Sequence, residues 1–231
     1  MELSVVTKAI QEALGQRQFI IVLGGEKGGP GKSCLAQNLA VCLQNAGADV
    51  LLIDADPQAT TYNWAHIRDE VGKLVSIPHE KAHGDISTTI IDKARRYQHI
   101  IIDCAGSDSQ AFRSAMTLAT HLVLPFRPKR RDLHTLENVE AIVALGKASN
   151  PGMVVRTIIT QCPTLPSQIQ RILDAKDACA SFGLQPMDSV TFTRNVYDDA
   201  EEDGSSVIEN GTDPKAIEEI HMIAAELLGA K

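Results

Sequence analysis

The sequence predicts an α/β fold: a single doubly wound, mostly parallel sheet with helices on both faces. Three observations predict it. Short runs such as Phe19-Ile20-Ile21-Val22-Leu23 and Ile100-Ile101-Ile102 are apolar throughout, which is how a strand buried on both faces reads. Helix-length segments separate these runs, the pattern of strands joined by crossover helices. The first run ends in a glycine-rich turn that opens into a helix, the context in which such a turn can hold phosphate.

Each element follows in order. Ser4 to Leu14 carries Val5, Val6, Ile10 and Leu14 at the spacing of a short amphipathic helix. Residues 1–18 therefore read as a helical N-terminal extension, and residues 19–231 as one domain. Phe19–Leu23 is the first strand. A helix from about Lys32 to Asn45 follows, closed by Gly47 as helix ends commonly are. Val50-Leu51-Leu52-Ile53 is the second strand. A helix around 85–96 leads into Ile100-Ile101-Ile102, and a helix around 109–119 into His121-Leu122-Val123-Leu124. A helix around 132–148 precedes a strand from Met153 to Ile159. A long helix, about 166–182, precedes a weaker strand near Met187–Phe192. The last helix runs from about Asp213 to Leu228, with Pro214 in its first turn. No linker, repeat or low-complexity segment interrupts the alternation.

Composition narrows the function. The 231 residues are 44% hydrophobic, enough for one well-packed domain. The net charge of −7 excludes a protein that works only by coating nucleic acid, so any DNA contact must come from a local patch. With 4% aromatic residues, stacking platforms for single strands are not expected. The five cysteines are scattered and never form C-x-x-C, which argues for reduced thiols and against a zinc or iron–sulfur site. No apolar run reaches membrane-spanning length and the N-terminus lacks a signal-peptide pattern, so a cytoplasmic protein is expected.

The glycine-rich turn is Lys27-Gly28-Gly29-Pro30-Gly31-Lys32-Ser33. Glycines let the backbone approach an oxyanion, and the N–H groups at the start of the following helix attract phosphate. Lys32 would reach the β- and γ-phosphates, and the Ser33 hydroxyl would ligate Mg²⁺. The strict pattern G-x-x-x-x-G-K-[ST] is not met, because Glu26 stands where its first glycine belongs. The variant K-G-G-x-G-K-[ST] is met in full. Pro30 has no N–H and so removes one potential phosphate donor.

Three carboxylates converge on the same sheet edge. Asp54 and Asp56 close the second strand in Asp54-Ala55-Asp56-Pro57-Gln58, and Asp103 closes Ile100-Ile101-Ile102. Ligands of parallel sheets bind beyond such strand ends. An apolar strand with a terminal carboxylate is the Walker-B pattern, whose usual work is holding Mg²⁺. Such a carboxylate also serves as a turn or a helix cap; the convergence of three favours the metal side of a nucleotide site.

With these residues assembled, the chain resembles the ParA/MinD superfamily of deviant-Walker ATPases. The resemblance rests on the glycine loop, on Leu51-Leu52-Ile53-Asp54-Ala55-Asp56-Pro57-Gln58, and on Ile100-Ile101-Ile102-Asp103. Leu124-Pro125-Phe126-Arg127-Pro128 and Thr193-Arg194-Asn195-Val196 support it, so that it spans nearly the whole chain from Phe19. The D-x-D-P-Q block resembles the ParA branch, in particular the small plasmid-partition proteins without an N-terminal helix-turn-helix region. The resemblance implies an Mg²⁺-dependent ATPase whose nucleotide-binding run is Lys27 through Cys34: Lys27, Gly28, Gly29, Pro30, Gly31, Lys32, Ser33 and Cys34. Lys27 looks like the lysine that crosses an ATP-bound homodimer to the partner's phosphates, and Asp56 like the residue that positions the attacking water. Lys27, Lys32 and Asp56 are thus the implied catalytic residues. Ser33, Asp54 and Asp103 are the implied metal side.

The resemblance further implies that the ATP-bound dimer binds duplex DNA without sequence preference, and that a ParB-like centromere-binding protein stimulates hydrolysis and so drives plasmid or chromosome partition. Nucleoid association in the ATP-bound state follows from this. The DNA candidates are Arg127, Lys129, Arg130, Arg131 and Arg194, with Lys147, Arg156, Arg171 and Lys176 behind them. A run such as Lys129-Arg130-Arg131 is as consistent with a solvated loop. The acidic stretch Asp198 to Asp203 stands where relatives often carry Lys or Arg. Thr160, Gln161 and Thr193 are candidates for the nucleoside side from their strand-end positions. The same ATPase could position a protein cargo instead: a chemoreceptor cluster, a microcompartment or a division complex. A MinD-like membrane switch fits less well, because the polar positions of the last helix are acidic rather than basic.

Overall fold

The computed structural model of the chain describes residues 3–25, 29, 31–106 and 108–230. In chain order the elements are α1 (Leu3–Gln16), β1 (Phe19–Leu23), α2 (Lys32–Asn45), β2 (Val50–Ala55), α3 (Thr60–Val71), β3 (His79–Lys81), α4 (Ser87–Ala94), β4 (His99–Cys104), α5 (Gln110–Met116), β5 (His121–Phe126), α6 (Arg130–Leu133), α7 (Leu136–Ser149), β6 (Val154–Cys162), a 3₁₀ turn (Pro166–Gln168), α8 (Ile169–Ser181), β7 (Pro186–Phe192), α9 (Val196–Asp199), α10 (Val207–Asn210) and α11 (Pro214–Leu228).

The seven strands form one sheet in the order β3-β2-β4-β1-β5-β6-β7. Every pairing is parallel, so the expectation of a mostly parallel sheet sharpens to an all-parallel one. Successive strand residues point to opposite faces, and the core divides accordingly. Phe19, Ile21 and Leu23 of β1 join α1, α2 and α11 on one face, with Ile10, Leu39, Trp64 and Ile220 among their neighbours. Ile20 and Val22 join α4, α5, α7 and α8 on the other, among Ile90, Phe112, Val139 and Ala175. Continuous apolar strands are what this two-sided burial demands.

Several boundaries moved. The expected helix 132–148 is two helices, α6 and α7, and the one expected at 166–182 begins as a 3₁₀ turn. α3, β3, α9 and α10 were not expected. α11 starts and stops as its sequence dictates: Asp213 accepts from the backbone N–H of Lys215 and Ala216, Pro214 sits in the first turn, and Gly229 closes the helix in the left-handed conformation.

Candidate functional site

The C-terminal edge of the sheet gathers the loop after β1 and the ends of β4 and β2. Gly31 stands at the N-cap of α2 with φ +87° and no side chain capping the helix. The first-turn N–H groups of α2 are therefore left for a ligand, as at an anion-binding helix start. Gly29 has φ +94°. Its carbonyl accepts a hydrogen bond from Gln161 Nε2 at 2.9 Å. Lys32 is 5% exposed. Burial lowers its pKa, against the opposing pull of Asp103, Asp56 and Cys104. Lys27, Gly28 and Pro30, expected in the same loop, lie outside the described residues.

Asp54 and Asp103 are register partners on adjacent strands, so their side chains share one edge by construction. Asp103 is fully buried, and Oδ2 accepts from the Thr61 hydroxyl at 2.7 Å. Burial pushes its pKa up to about 6; hydrogen bonding from Ser33 and Thr61 and the Lys32 charge pull the other way. Asp54 is also buried. Its Oδ1 accepts from the Asp56 N–H at 2.9 Å and its Oδ2 from the Tyr62 N–H at 2.8 Å. It thereby pins the segment that carries Asp56 and the first turn of α3. Burial raises its pKa, partly offset by these backbone donors.

Asp56 is half-buried and lines the cleft beside Lys32 and Ser33. Its Oδ1 accepts from the Gln58 N–H at 2.9 Å, and its second oxygen has no hydrogen-bond partner among the described residues. Ala59 follows with φ +54°, a left-handed backbone that strains a residue with a Cβ. The only other described non-glycine residue in that region is Gln161, φ +49°. One adjoins the Asp56 turn and the other holds the phosphate loop, so the backbone strain collects at the site.

The donor set can be tested against a divalent cation. Among the described residues no cluster of three or more His, Cys, Asp or Glu is arranged to hold a metal. Asp103 Oδ1, however, is buried without a hydrogen-bond partner, in a carboxyl that also interacts with the Ser33 hydroxyl. An anionic oxygen buried without a donor is costly unless a cation or its bound water satisfies it. Ser33 and Asp103 thus fit Mg²⁺, which takes few protein ligands and shares the rest with water and phosphate. The oxygens of Asp54 are already engaged by backbone amides, so its share there is chiefly its charge.

A cleft of about 380 Å³ opens from the phosphate loop. Gly29, Gly31, Ser33 and Cys34 line one end, and Thr160, Gln161, Thr193 and Tyr197 line more of the wall. The structure thus brings the three residues expected on the nucleoside side into one cleft with the loop. Sequence reading missed Thr61, Phe192 and Tyr197. A threonine in the first helical turn after D-x-D-P-Q was the available signal for Thr61; the other two carried none.

The basic candidates separate. Lys129, Arg130, Arg131, Lys147 and Arg171 are exposed. Arg194 is held by Asp213 and Glu219 at 3.1 and 2.8 Å, with a side chain 16% exposed, and lines the cleft. Arg127 is bound by Asp132 at 2.6 Å and turned toward Gly29. Of the acidic stretch, Asp198 and Glu201 line the cleft, and burial beside Asp198 raises the pKa of Glu201. No helix among the described residues is long and apolar enough to cross a membrane.

A nucleotide-binding site of the phosphate-loop class is what this fold and edge define. Residues 21–206 match the CobQ/CobB/MinD/ParA nucleotide binding domain, and the chain belongs to this family. The chromosome partitioning protein ParA of Caulobacter vibrioides is 27% identical over 222 residues, covering 77% of this chain and 81% of that protein. Protein ParA of Rhizobium radiobacter is 29% identical over 113 residues, 49% of this chain and half of that protein. The maintenance of carboxysome distribution protein A of Gloeobacter kilaueensis is 27% identical, covering 83% and 84% of the two chains. In fold, the septum site-determining protein MinD of Pyrococcus horikoshii OT3, complexed with Mg-ADP, superposes with a TM-score of 0.69 at 19% identity, covering 90% of this chain and 95% of that one.

Proposed function

We propose that this chain is an Mg²⁺-dependent ATPase that dimerises around ATP, binds duplex DNA without sequence preference, and partitions a plasmid or chromosome in the cytoplasm with a ParB-like partner that stimulates hydrolysis. The observation that carries the ATPase reading is Asp103: a buried carboxyl with one unpartnered oxygen, next to Lys32 and Ser33 at the head of α2 and linked through Thr61 to the turn that carries Asp56.

Phosphoryl transfer to water needs positioning and charge neutralisation more than covalent chemistry. The first turn of α2 and Lys32 hold the phosphates. Asp56, with one oxygen fixed by Gln58 and one available, orients the attacking water. Ser33 and Asp103 would hold Mg²⁺, which would supply charge neutralisation at the phosphate oxygens. Lys27 completes the site from the second copy in the ATP-bound homodimer. Lys129, Arg130 and Arg131 give the dimer an exposed basic edge for the DNA backbone. The apolar face of α11 is buried in the core, with Ile220, Ile223 and Leu227 at 4% exposure or less, which supports a reading without membrane attachment.

The test is size-exclusion analysis and retention on non-specific duplex DNA, with ATP and Mg²⁺, with ADP, and without nucleotide. A dimer retained on DNA only with ATP and Mg²⁺, and released by salt, supports the reading; no retention at low salt removes its DNA part. The relative from Gloeobacter kilaueensis, named for carboxysome distribution and matched along most of both chains, favours a second reading in which the cargo is a protein assembly. Imaging of a plasmid and of a protein cargo in deletion cells separates the two.

A further inference from the structure

Arg127 follows the last residue of β5, and its guanidinium is fixed at two points. Nε donates to Asp132 Oδ2 at 2.6 Å and Nη2 to Asp132 Oδ1 at 3.0 Å. The Arg127 backbone N–H reaches the same Oδ2 at 3.3 Å. Asp132, on α6, is 3% exposed, so this fork is held by a buried anchor. The third nitrogen, Nη1, has no acceptor among the described residues. It is also the guanidinium atom nearest Gly29: a Cβ built there would lie 3.4 Å from Nη1, against 3.8 Å from Cζ and Nη2. The neighbouring Gln161 holds the Gly29 carbonyl. The side chain is 22% exposed, whereas Lys129, Arg130 and Arg131 beside it are exposed residues.

We propose that Arg127 is a fixed cation of the nucleotide site, donating from its own chain to the terminal phosphate of bound ATP, with Asp132 as the positioning residue. The proposal rests on the cleft being a nucleoside-triphosphate site. Its physical basis is the shape of the guanidinium. A carboxylate occupies two nitrogens in the plane of the fork, and that fixes the direction of the third. A lysine would keep the charge but could not be both anchored and aimed. Asp132 also restricts the rotamers of Arg127, so less entropy is lost when phosphate binds.

The experiment measures ATP and ADP affinity, kcat, DNA retention and melting temperature for the parent, Arg127→Gln, Arg127→Lys, Asp132→Asn and Lys32→Ala. Arg127→Gln is expected to weaken ATP binding about tenfold or more while changing ADP binding much less, and to lower kcat by at least as much. Arg127→Lys should remain impaired. Asp132→Asn, which keeps the arginine and frees it, should lower kcat more than ATP affinity, and it serves as the second probe if the glutamine variant folds poorly. Equal losses for ATP and ADP with a lowered melting temperature would make Arg127 a structural prop and overturn the proposal. Intact ATP turnover with lost DNA retention would make it a DNA contact and overturn it as well. If Lys32→Ala abolishes ATP binding and Arg127→Gln leaves it untouched, only this proposal fails; if the parent binds no ATP, the nucleotide reading itself fails.

Discussion

The Thr61 hydroxyl donates to Asp103 Oδ2 at 2.7 Å, with both residues fully buried. This one bond ties the first turn of α3 to the end of β4, and with it the Asp56 turn to the Walker-B strand. Thr61→Val keeps the shape and removes the donor, leaving both Asp103 oxygens without a hydroxyl from α3. We expect it to destabilise the nucleotide-free protein by about 1–3 kcal/mol and to weaken Mg²⁺-dependent turnover, with Thr61→Ser restoring most of both. Thermal melts and steady-state kinetics decide it; a valine variant equal to the parent in both would show that the bond is incidental.

The raised pKa of Asp103, about 6, sets a pH dependence. The folded chain binds more proton than the unfolded chain between the ordinary carboxylate range and that value. This group therefore favours the nucleotide-free fold at low pH, and its contribution is lost as pH rises through about 6. Above that pH the carboxylate is a buried charge that awaits a cation. Asp103→Asn should accordingly be more stable than the parent at about pH 7.5, by on the order of 2 kcal/mol, with the gap narrowing toward about pH 5. The same variant should lose Mg²⁺-dependent hydrolysis. An asparagine variant that melts lower than the parent at every pH would contradict the sign.

Asp56 gives a separable kinetic prediction. Its Oδ1 forms a turn with Gln58, while Oδ2 has no hydrogen-bond partner among the described residues. We expect Asp56→Ala to bind ATP within a few-fold of the parent and to hydrolyse it about 10²-fold more slowly, accumulating the dimer. Sizing after incubation with ATP and a single-turnover assay measure the two halves. Parental hydrolysis by this variant would remove the water-positioning role.

Arg68 gives a stability prediction remote from the phosphates. Its side chain is buried and donates to the carbonyls of Val75 and Gly204 at 2.7 and 2.9 Å and to both carboxylate oxygens of Glu209. Truncation to alanine removes the donor to Glu209 Oε1 and to two carbonyls, while Oε2 keeps Ser206, so a loss of about 3 kcal/mol is expected in denaturant titration. A loss below about 1 kcal/mol would mean that water replaces the guanidinium at little cost.

The same residue explains where the sequence was hard to read. The central strands were legible because burial on both faces leaves no polar residue to break them. The carboxylates were legible because each ends such a strand. α3 was not. Its buried stripe, Thr61, Trp64, Ala65 and Arg68, has helical spacing, but two of its four members are polar and satisfied by partners far along the chain. Hydropathy sees no stripe there. β3 is three polar residues at the sheet edge, and α9 and α10 are single turns, too short to show a hydrophobic period, although the Ser206–Glu209 capping box of α10 was a local signal. At the site, the loop and Asp103 were readable as a pattern, whereas the inward turn of Arg127 depends on Asp132, a residue whose partner spacing says nothing about direction. Lys27 carries much of the dimer reading and falls outside the described residues.

The segment from Gly204 to Glu209 has a consequence of its own. Asn38, on the helix that begins with Lys32, accepts from the buried Val207 N–H at 2.9 Å. Trp64, on the helix that begins next to Thr61, donates to the Ser205 carbonyl at 2.9 Å, and Arg68 adds Gly204 and Glu209. Two helices leave the site from different strands and both bond the same six residues. The segment therefore fastens the two helices to one another through hydrogen bonds that neither helix makes to the other. The amide of Val207 belongs to the α2 half of that junction, and the carbonyls of Gly204 and Ser205 to the α3 half.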